Sequence, residues 1–140
     1  MPAAPQPFQT IAIIGNTRDA RVVESLQVLA THLYSRARRV LIDAATDVDY
    51  REVAVERLPE SDLCATAQLL IAVGGDGSML HAARLAAPRS IPVLGINRGR
   101  LGFLADISPA ELTTRVDEIL AGHYVSDQRA MLRLDEGESG

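Results

Sequence analysis

What this sequence lacks closes several classes of function before any motif is read. It has a single cysteine, Cys64, so neither an internal disulfide framework nor a cysteine-based zinc site can form. Positive charge is sparse: 14 basic residues against 18 acidic ones leave a net charge of −4. The one basic cluster, Arg36-Ala37-Arg38-Arg39, is too small to mark a nucleic-acid-binding face. No apolar run approaches the roughly 18 residues that a membrane span needs. The opening MPAAPQPFQ has no positive start and no long apolar stretch, so no signal peptide is expected in it, and its three prolines read as a flexible lead-in over residues 1–9. Two common phosphate-binding signatures are also missing. There is no Gly-Lys-Ser or Gly-Lys-Thr, and the turn Gly15-Asn16-Thr17-Arg18 lacks the three-glycine dinucleotide fingerprint. A reduced, cytoplasmic setting is the expectation, with neither nucleic acid nor membrane as partner.

What is present is a chain of 140 residues, 47% hydrophobic and 23% charged, sufficient for one domain with a packed core. Thr10–Gly15 (TIAIIG) reads as a buried strand. Asp19 is placed to cap a following helix whose Val22, Leu26, Leu29 and Leu33 recur at helical spacing. Val40–Ile42 reads as a second strand and Leu69–Val73 as a third; Gly77–Ala87 reads as a helix that stops before Pro88, and Pro92–Ile96 as a fourth strand. Ser108-Pro109 opens another helix, with Ser108 as cap, Glu111 in the first turn, Leu112, Val116, Ile119 and Leu120 as its apolar face, and Gly122 as its stop. Between Asp43 and Cys64 the sequence is polar and contains Pro59, so loop with short helical pieces is expected there. Strands alternating with helices imply an α/β fold: an open three-layer domain over residues 10–122, with a mostly parallel sheet and helices on both faces. Arg129–Leu134 looks like a further strand. With no partner evident after it, residues 123–140 are expected to begin a truncated β-rich second domain, or to pair elsewhere.

The most informative stretch is Leu69–Leu80, LLIAVGGDGSML. An apolar strand runs into Gly74-Gly75-Asp76-Gly77, a turn with almost no side chains except one carboxylate. Glycines there permit positive φ and close ligand approach; successive amides and the following helix N-terminus attract an anion. An acid at that spot would only repel a phosphate, so Asp76 makes more sense as a base toward a hydroxyl, or as an outer-shell group for magnesium. The bland alternative is a tight turn with a solvated aspartate. In such sheets ligands bind beyond the carboxyl ends of the strands, and the Asn97-Arg98-Gly99-Arg100 loop should share that edge with Asp76.

Two segments together resemble the NAD kinase family: Gly74-Gly75-Asp76-Gly77-Ser78-Met79-Leu80, and Gly95-Ile96-Asn97-Arg98-Gly99-Arg100-Leu101-Gly102-Phe103-Leu104. The first alone is shared with 6-phosphofructokinases and with diacylglycerol and sphingosine kinases; the second is more specific. Arg129-Ala130-Met131-Leu132 resembles the approach to that family's second domain. The resemblance implies phosphorylation of the adenosine ribose 2′-hydroxyl of NAD to NADP, with ATP as donor and a divalent metal such as Mg²⁺. It implies Asp76 as catalytic base, Gly77 in contact with the dinucleotide and Phe103 in the adenine pocket, with Gly74 and Gly75 as further cofactor-binding candidates. His81 matches a position that is often basic, and is either a phosphate contact or an ordinary helix-surface histidine. Asn97 bonds ligand or holds its own loop; Arg98 and Arg100 meet phosphate or solvent. His32 and His123 read as structural, and Cys64 as a buried apolar residue. The family's second domain, with its Asn-Glu pair and its oligomer contacts, has no counterpart before Gly140, so this chain is expected to carry the catalytic acid and about half of the site. A homo-oligomer is expected of the full-length form. A lipid or sugar kinase sharing the glycine turn, and a non-catalytic nucleotide-binding module, remain as alternatives.

Overall fold

The computed structural model describes residues 8–97, 109–122, 124–126 and 131–134. Seven strands form one sheet: β1 (Thr10–Gly15), β2 (Arg39–Asp43), β3 (Val55–Leu58), β4 (Leu69–Gly74), β5 (Val93–Asn97), β6 (Tyr124–Ser126) and β7 (Met131–Leu134). Their order across the sheet is β3-β2-β1-β4-β5-β7-β6, parallel throughout except that β6 runs antiparallel to β7. Four helices connect them: α1 (Ala20–Ser35), α2 (Glu60–Thr66), α3 (Asp76–Ala86) and α4 (Pro109–Leu120), with a 3-10 turn at Ala87–Arg89 before Pro92.

The sheet is covered on both faces, as the continuous apolar runs of its central strands require. Every residue of β4 is buried. On one face, Ile11, Ile13, Ile71 and Val73 pack under α1 and α4; Val22, Leu26, Leu29 and Leu33 of α1 meet Leu112, Val116, Ile119 and Leu120 of α4 in that layer. On the other face, Ala12, Ile14, Leu70 and Ala72 pack against Leu63 and Cys64 of α2 and Ala82 and Ala86 of α3. Cys64 is thus a core residue, and burial pushes its thiol up into the protonated form. Asp19 caps α1, its side chain accepting from the Arg21 amide at 2.9 Å. Gly122 closes α4 with φ of +94°, a left-handed stop.

The structure departs from the sequence-based expectation in several places. The stretch expected as loop contains β3, a parallel edge strand beside β2, before α2. Its sequence, VERL, is exposed at Glu56 and Arg57, so it carries no apolar run to announce it. Helix α3 starts at Asp76, one residue earlier than expected. The strand expected near the end is present at Met131–Leu134 and follows the second of its two expected courses, pairing elsewhere: it adds to β5 in parallel. Phe8, at the end of the expected lead-in, is buried in the α1 face of the core, and the Gln9 amide donates to Gln68 Oε1 at 2.6 Å. Ser108 and His123 lie outside the described residues.

The basic cluster is consumed internally. Arg36 Nε and Nη2 donate to Asp117 Oδ1 and Oδ2, each at 2.9 Å, and His32 Nε2 lies 2.7 Å from Oδ1, tying α1 to α4. Arg38 Nε donates to the Phe8 carbonyl at 2.7 Å, and Arg39 forms a forked pair with Glu56 across β2 and β3. The Arg36 bonds, ahead of His32, hold the Asp117 carboxyl down at about 2. A depressed acid pKa stabilises the fold fully above the unfolded value near 4, and that contribution is lost as pH falls through about 2. Solvent reaches this carboxylate, so the contribution is on the order of 1 kcal/mol. Asp117→Asn should therefore lower the melting temperature by about 3 °C at pH 7. The gap should shrink toward zero near pH 2, as read by circular-dichroism melts of both proteins across that range.

Candidate active site

Strand order reverses direction between β1 and β4. The chain winds outward from β1 to β2 and β3, then returns to lay β4 and β5 on the other side. A crevice must open at such a point, because the connections leave in opposite directions. Here it is a cavity of about 630 Å³ beyond the carboxyl ends of β1, β2 and β4. One wall is the glycine turn: Gly74, Gly75, Gly77 and Ser78, with His81 one turn further along α3. The facing wall is Gly15 to Asp19, and the inner end is built from Ile13, Val22, Leu26, Ile42, Asp43, Thr46 and Tyr50.

The glycine turn has a firm steric logic. Gly74 ends β4 with φ of +147°, and a Cβ there would lie 2.5 Å from Ser78 Oγ. Only glycine satisfies both the dihedral and the contact. At Gly75 and Gly77 a Cβ would meet nothing within 4 Å. Their bareness keeps space open at the mouth of the crevice and is no requirement of the fold. Gly75 is the N-cap of α3 and supplies no side-chain bond, so the first amides of that helix are left for a ligand or water. Helix α1 differs, because Asp19 already occupies its N-terminus. Of the two helix ends at the crevice, α3 is the one ready for an anion.

Asp76 is exposed at the first position of α3, between the two open glycines. His81 is exposed at the cavity mouth, where its Nε2 lies 2.8 Å from Glu60 Oε2 of α2; its described partner is that carboxylate. Asn97 closes β5 in register with Gly74, so its backbone shares the edge with the glycine turn. Phe103, Arg98 and Arg100 lie outside the described residues. His32 is far from this edge, in the Asp117 cluster. The structure thus brings Gly74, Gly75, Asp76, Gly77, His81 and the Asn97 backbone to one edge.

Sequence reasoning missed the opposite wall. The turn after β1 lacks extra glycines and was read only for what it does not match, yet it lines the cavity. Gly15 held the available signal: a Cβ there would sit 2.7 Å from Val22 Cγ1 and 2.8 Å from the Val73 carbonyl, so the strand end must be glycine for α1 to pack. Asp43, Thr46 and Tyr50 were hidden in the polar stretch whose course only the tertiary fold decides.

A family model described as the ATP-NAD kinase N-terminal domain matches residues 11–124. The chain belongs to the ATP-NAD kinase family. It is 44% identical over 140 residues to the NAD kinase of Chromohalobacter salexigens, covering 96% of this chain and 46% of that one. It is 45% identical over 135 residues to the NAD kinase of Coxiella burnetii strain RSA 493, covering 94% and 44%. The chain therefore spans about half the length of the curated relatives it matches. A crystal structure of yeast NADH kinase complexed with NADH shares the fold at a TM-score of 0.67 and 23% identity, over 84% of this chain and 39% of that one. Among the described residues no helix is long and apolar enough to cross a membrane.

The contrast between the glycines is testable by substitution. Gly74→Ala should cost about 1–3 kcal/mol through its dihedral and the Ser78 contact. Gly77→Ala, in open helical space, should be neutral or stabilising by up to about 1 kcal/mol. Urea unfolding of the two variants beside the parent would show this; equal losses at both positions would refute the steric account of Gly74.

Proposed function

We propose that this chain provides the acid-bearing, nucleotide-binding part of an NAD kinase, which phosphorylates the adenosine ribose 2′-hydroxyl of NAD to give NADP with ATP as donor. The observation that carries the reading is the exposed Asp76 carboxylate at the uncapped N-terminus of α3, flanked by the open Gly75 and Gly77. Relatives bearing the name NAD kinase, and a yeast neighbour solved with NADH, support the substrate class.

In this reading the α3 amides and glycine turn receive phosphate oxygens, and Asp76 faces the acceptor hydroxyl. As the 2′-oxygen attacks the terminal phosphorus of ATP, Asp76 takes its proton. The new oxygen–phosphorus bond forms while the bond to the bridging oxygen breaks, and ADP leaves with that electron pair. Gly74 shapes the turn, Gly77 contacts the dinucleotide, Asn97 supports the loop beyond β5, and Phe103 lines the adenine pocket. His81 reaches a phosphate by leaving Glu60. The family implies a divalent cation, Mg²⁺ by preference. Among the described residues no group of three or more His, Cys, Asp or Glu side chains is placed to hold one. Such an ion would be held mainly by the nucleotide's own phosphates, where it neutralises charge.

The same reading places the protein in the cytoplasm, as part of a homo-oligomer when full-length, with residues 123–140 leading into a second, β-rich domain that completes the dinucleotide site. For the 140-residue chain alone, a nucleotide-binding module without turnover is the second reading, favoured by its span of about half the relatives' length. The decisive variant is Asp76→Asn in the full-length protein. NADP formation from NAD and ATP should fall by about 10²–10⁴-fold, with an unchanged circular-dichroism spectrum. Turnover within a few-fold of the parent would remove Asp76 from the mechanism.

A further inference from the structure

We infer that Glu60 is a positioning residue that acts through His81: its carboxylate occupies the imidazole N–H that a nucleotide phosphate would take, and so sets how tightly a phosphate-bearing ligand is held at the mouth of the crevice. This rests on the reading above in which His81 serves a phosphate, and it names the group that competes for that histidine. His81 Nε2 lies 2.8 Å from Glu60 Oε2. A carboxylate only accepts, so Nε2 carries the proton between them. Nε2 is at the tip of the ring, where an imidazole reaches farthest. A phosphate oxygen is an acceptor of the same kind, so ligand and protein make the same demand on one N–H.

Both groups stand where such a contest has consequences. Glu60 opens α2 and His81 lies in the middle of α3, 21 residues later, and both line the cavity together with Gly75, Gly77 and Ser78. His81 follows Asp76 in α3 by roughly 7.5 Å along the helix axis. Side chains on a helix lean toward its N-terminus, so the imidazole shares an end of α3 with the amides that Gly75 leaves uncapped. An anion seated on those amides draws His81 in, and Glu60 holds it toward α2.

The bond is poorly suited to a purely structural duty. Both side chains are open to solvent, 51% exposed at His81 and 38% at Glu60, and water screens such pairs until they contribute little to stability. Leu63 and Cys64 of α2 already share an apolar layer with Ala82 and Ala86 of α3, which seats the two helices against the sheet without help from the mouth. The other acids of the crevice are held differently. Asp19 Oδ1 accepts from the Arg21 amide and Asp43 Oδ1 from the Ala45 amide, each at 2.9 Å. Those bonds shape their own backbone and cannot be released without cost to the turn. Glu60 is bonded to a side chain instead. It can let go at little cost and turn to the solvent that already reaches it, which is what an exchangeable partner requires.

The test uses the full-length protein with Glu60→Gln, His81→Gln and the double variant, each titrated calorimetrically with ATP and with NAD and assayed for NADP formation. Glu60→Gln keeps the size of the side chain and removes its charge, so one of the two nucleotides should bind about three- to tenfold more tightly. The gain should appear in its KM rather than in kcat, and the nucleotide that shows it is the one whose phosphate His81 meets. His81→Gln should weaken that same nucleotide by about three- to tenfold. In the double variant the gain from Glu60→Gln should vanish. Circular-dichroism melts of all three variants should stay within about 3 °C of the parent. A merely structural bridge would instead lower the melting temperature and leave both affinities as they were, which overturns the inference. A gain that persists in the His81→Gln background would mean simple repulsion by Glu60 and overturns it too, as does weaker nucleotide binding after Glu60→Gln. Absence of NADP formation by the parent would sink the NAD kinase reading, while the calorimetric pattern still judges Glu60.

Discussion

The parallel pairing of β1 with β4 is the contact on which the rest of this molecule depends. It joins Ile11 to Leu69 and runs to Gly15 beside Val73, although the two strands are far apart in sequence. By closing that pair, the chain sends α1 over one face and α3 over the other. Both strand ends are then forced to be bare: Gly15 because α1 and the Val73 carbonyl press upon it, Gly74 because Ser78 sits where a side chain would go. The crevice is what remains between two helices that leave the same pair of strands in opposite directions. Its chemistry follows from one asymmetry: α1 is capped by Asp19, and α3 is not capped by any side chain.

The two faces of the sheet divide the work differently. Large aliphatic side chains of α1 and α4 fill one layer, and the Asp117 cluster pins those helices together at the surface. The opposite layer sets small residues, Ala12, Ala72, Ala82 and Ala86, beside larger aliphatics such as Leu63 and Leu70, and the alanines let α3 lie close to β4. Close seating matters because α3 carries Asp76. A bulkier layer would lift the helix and the acid away from the turn that precedes it.

How far the sequence could be read follows from where each element gets its stability. β1 and β4 bury most of what they carry, and α1 and α4 each bury one apolar face, so their periodicity is a direct imprint of their surroundings, and even the Gly122 stop is visible. The glycine turn is legible because its steric demands are local: a strand end, a positive φ and a helix start within a few residues. β3 was not legible, because an edge strand buries little and Glu56 and Arg57 face solvent. Tyr50 was not legible for the converse reason. Its burial depends on α1 arriving above it and on Gln27 and Arg57 holding the loop, which are long-range facts. The same limit hid the wall of the site contributed by the turn after β1.

The forked Arg39–Glu56 pair lies at the outer margin of the sheet, where β3 has one neighbour and an open side. That margin is the natural place for a second copy to anneal, strand against strand. Here a newcomer would meet alternating charges already locked to their own sheet, with the strand only four residues long. Meanwhile Leu69–Val73, the run most prone to self-association if uncovered, is sealed at the centre between β1 and β5. The fold thereby keeps its stickiest segment innermost and presents a short, charged strand at the β3 edge, a safeguard against aggregation through that edge.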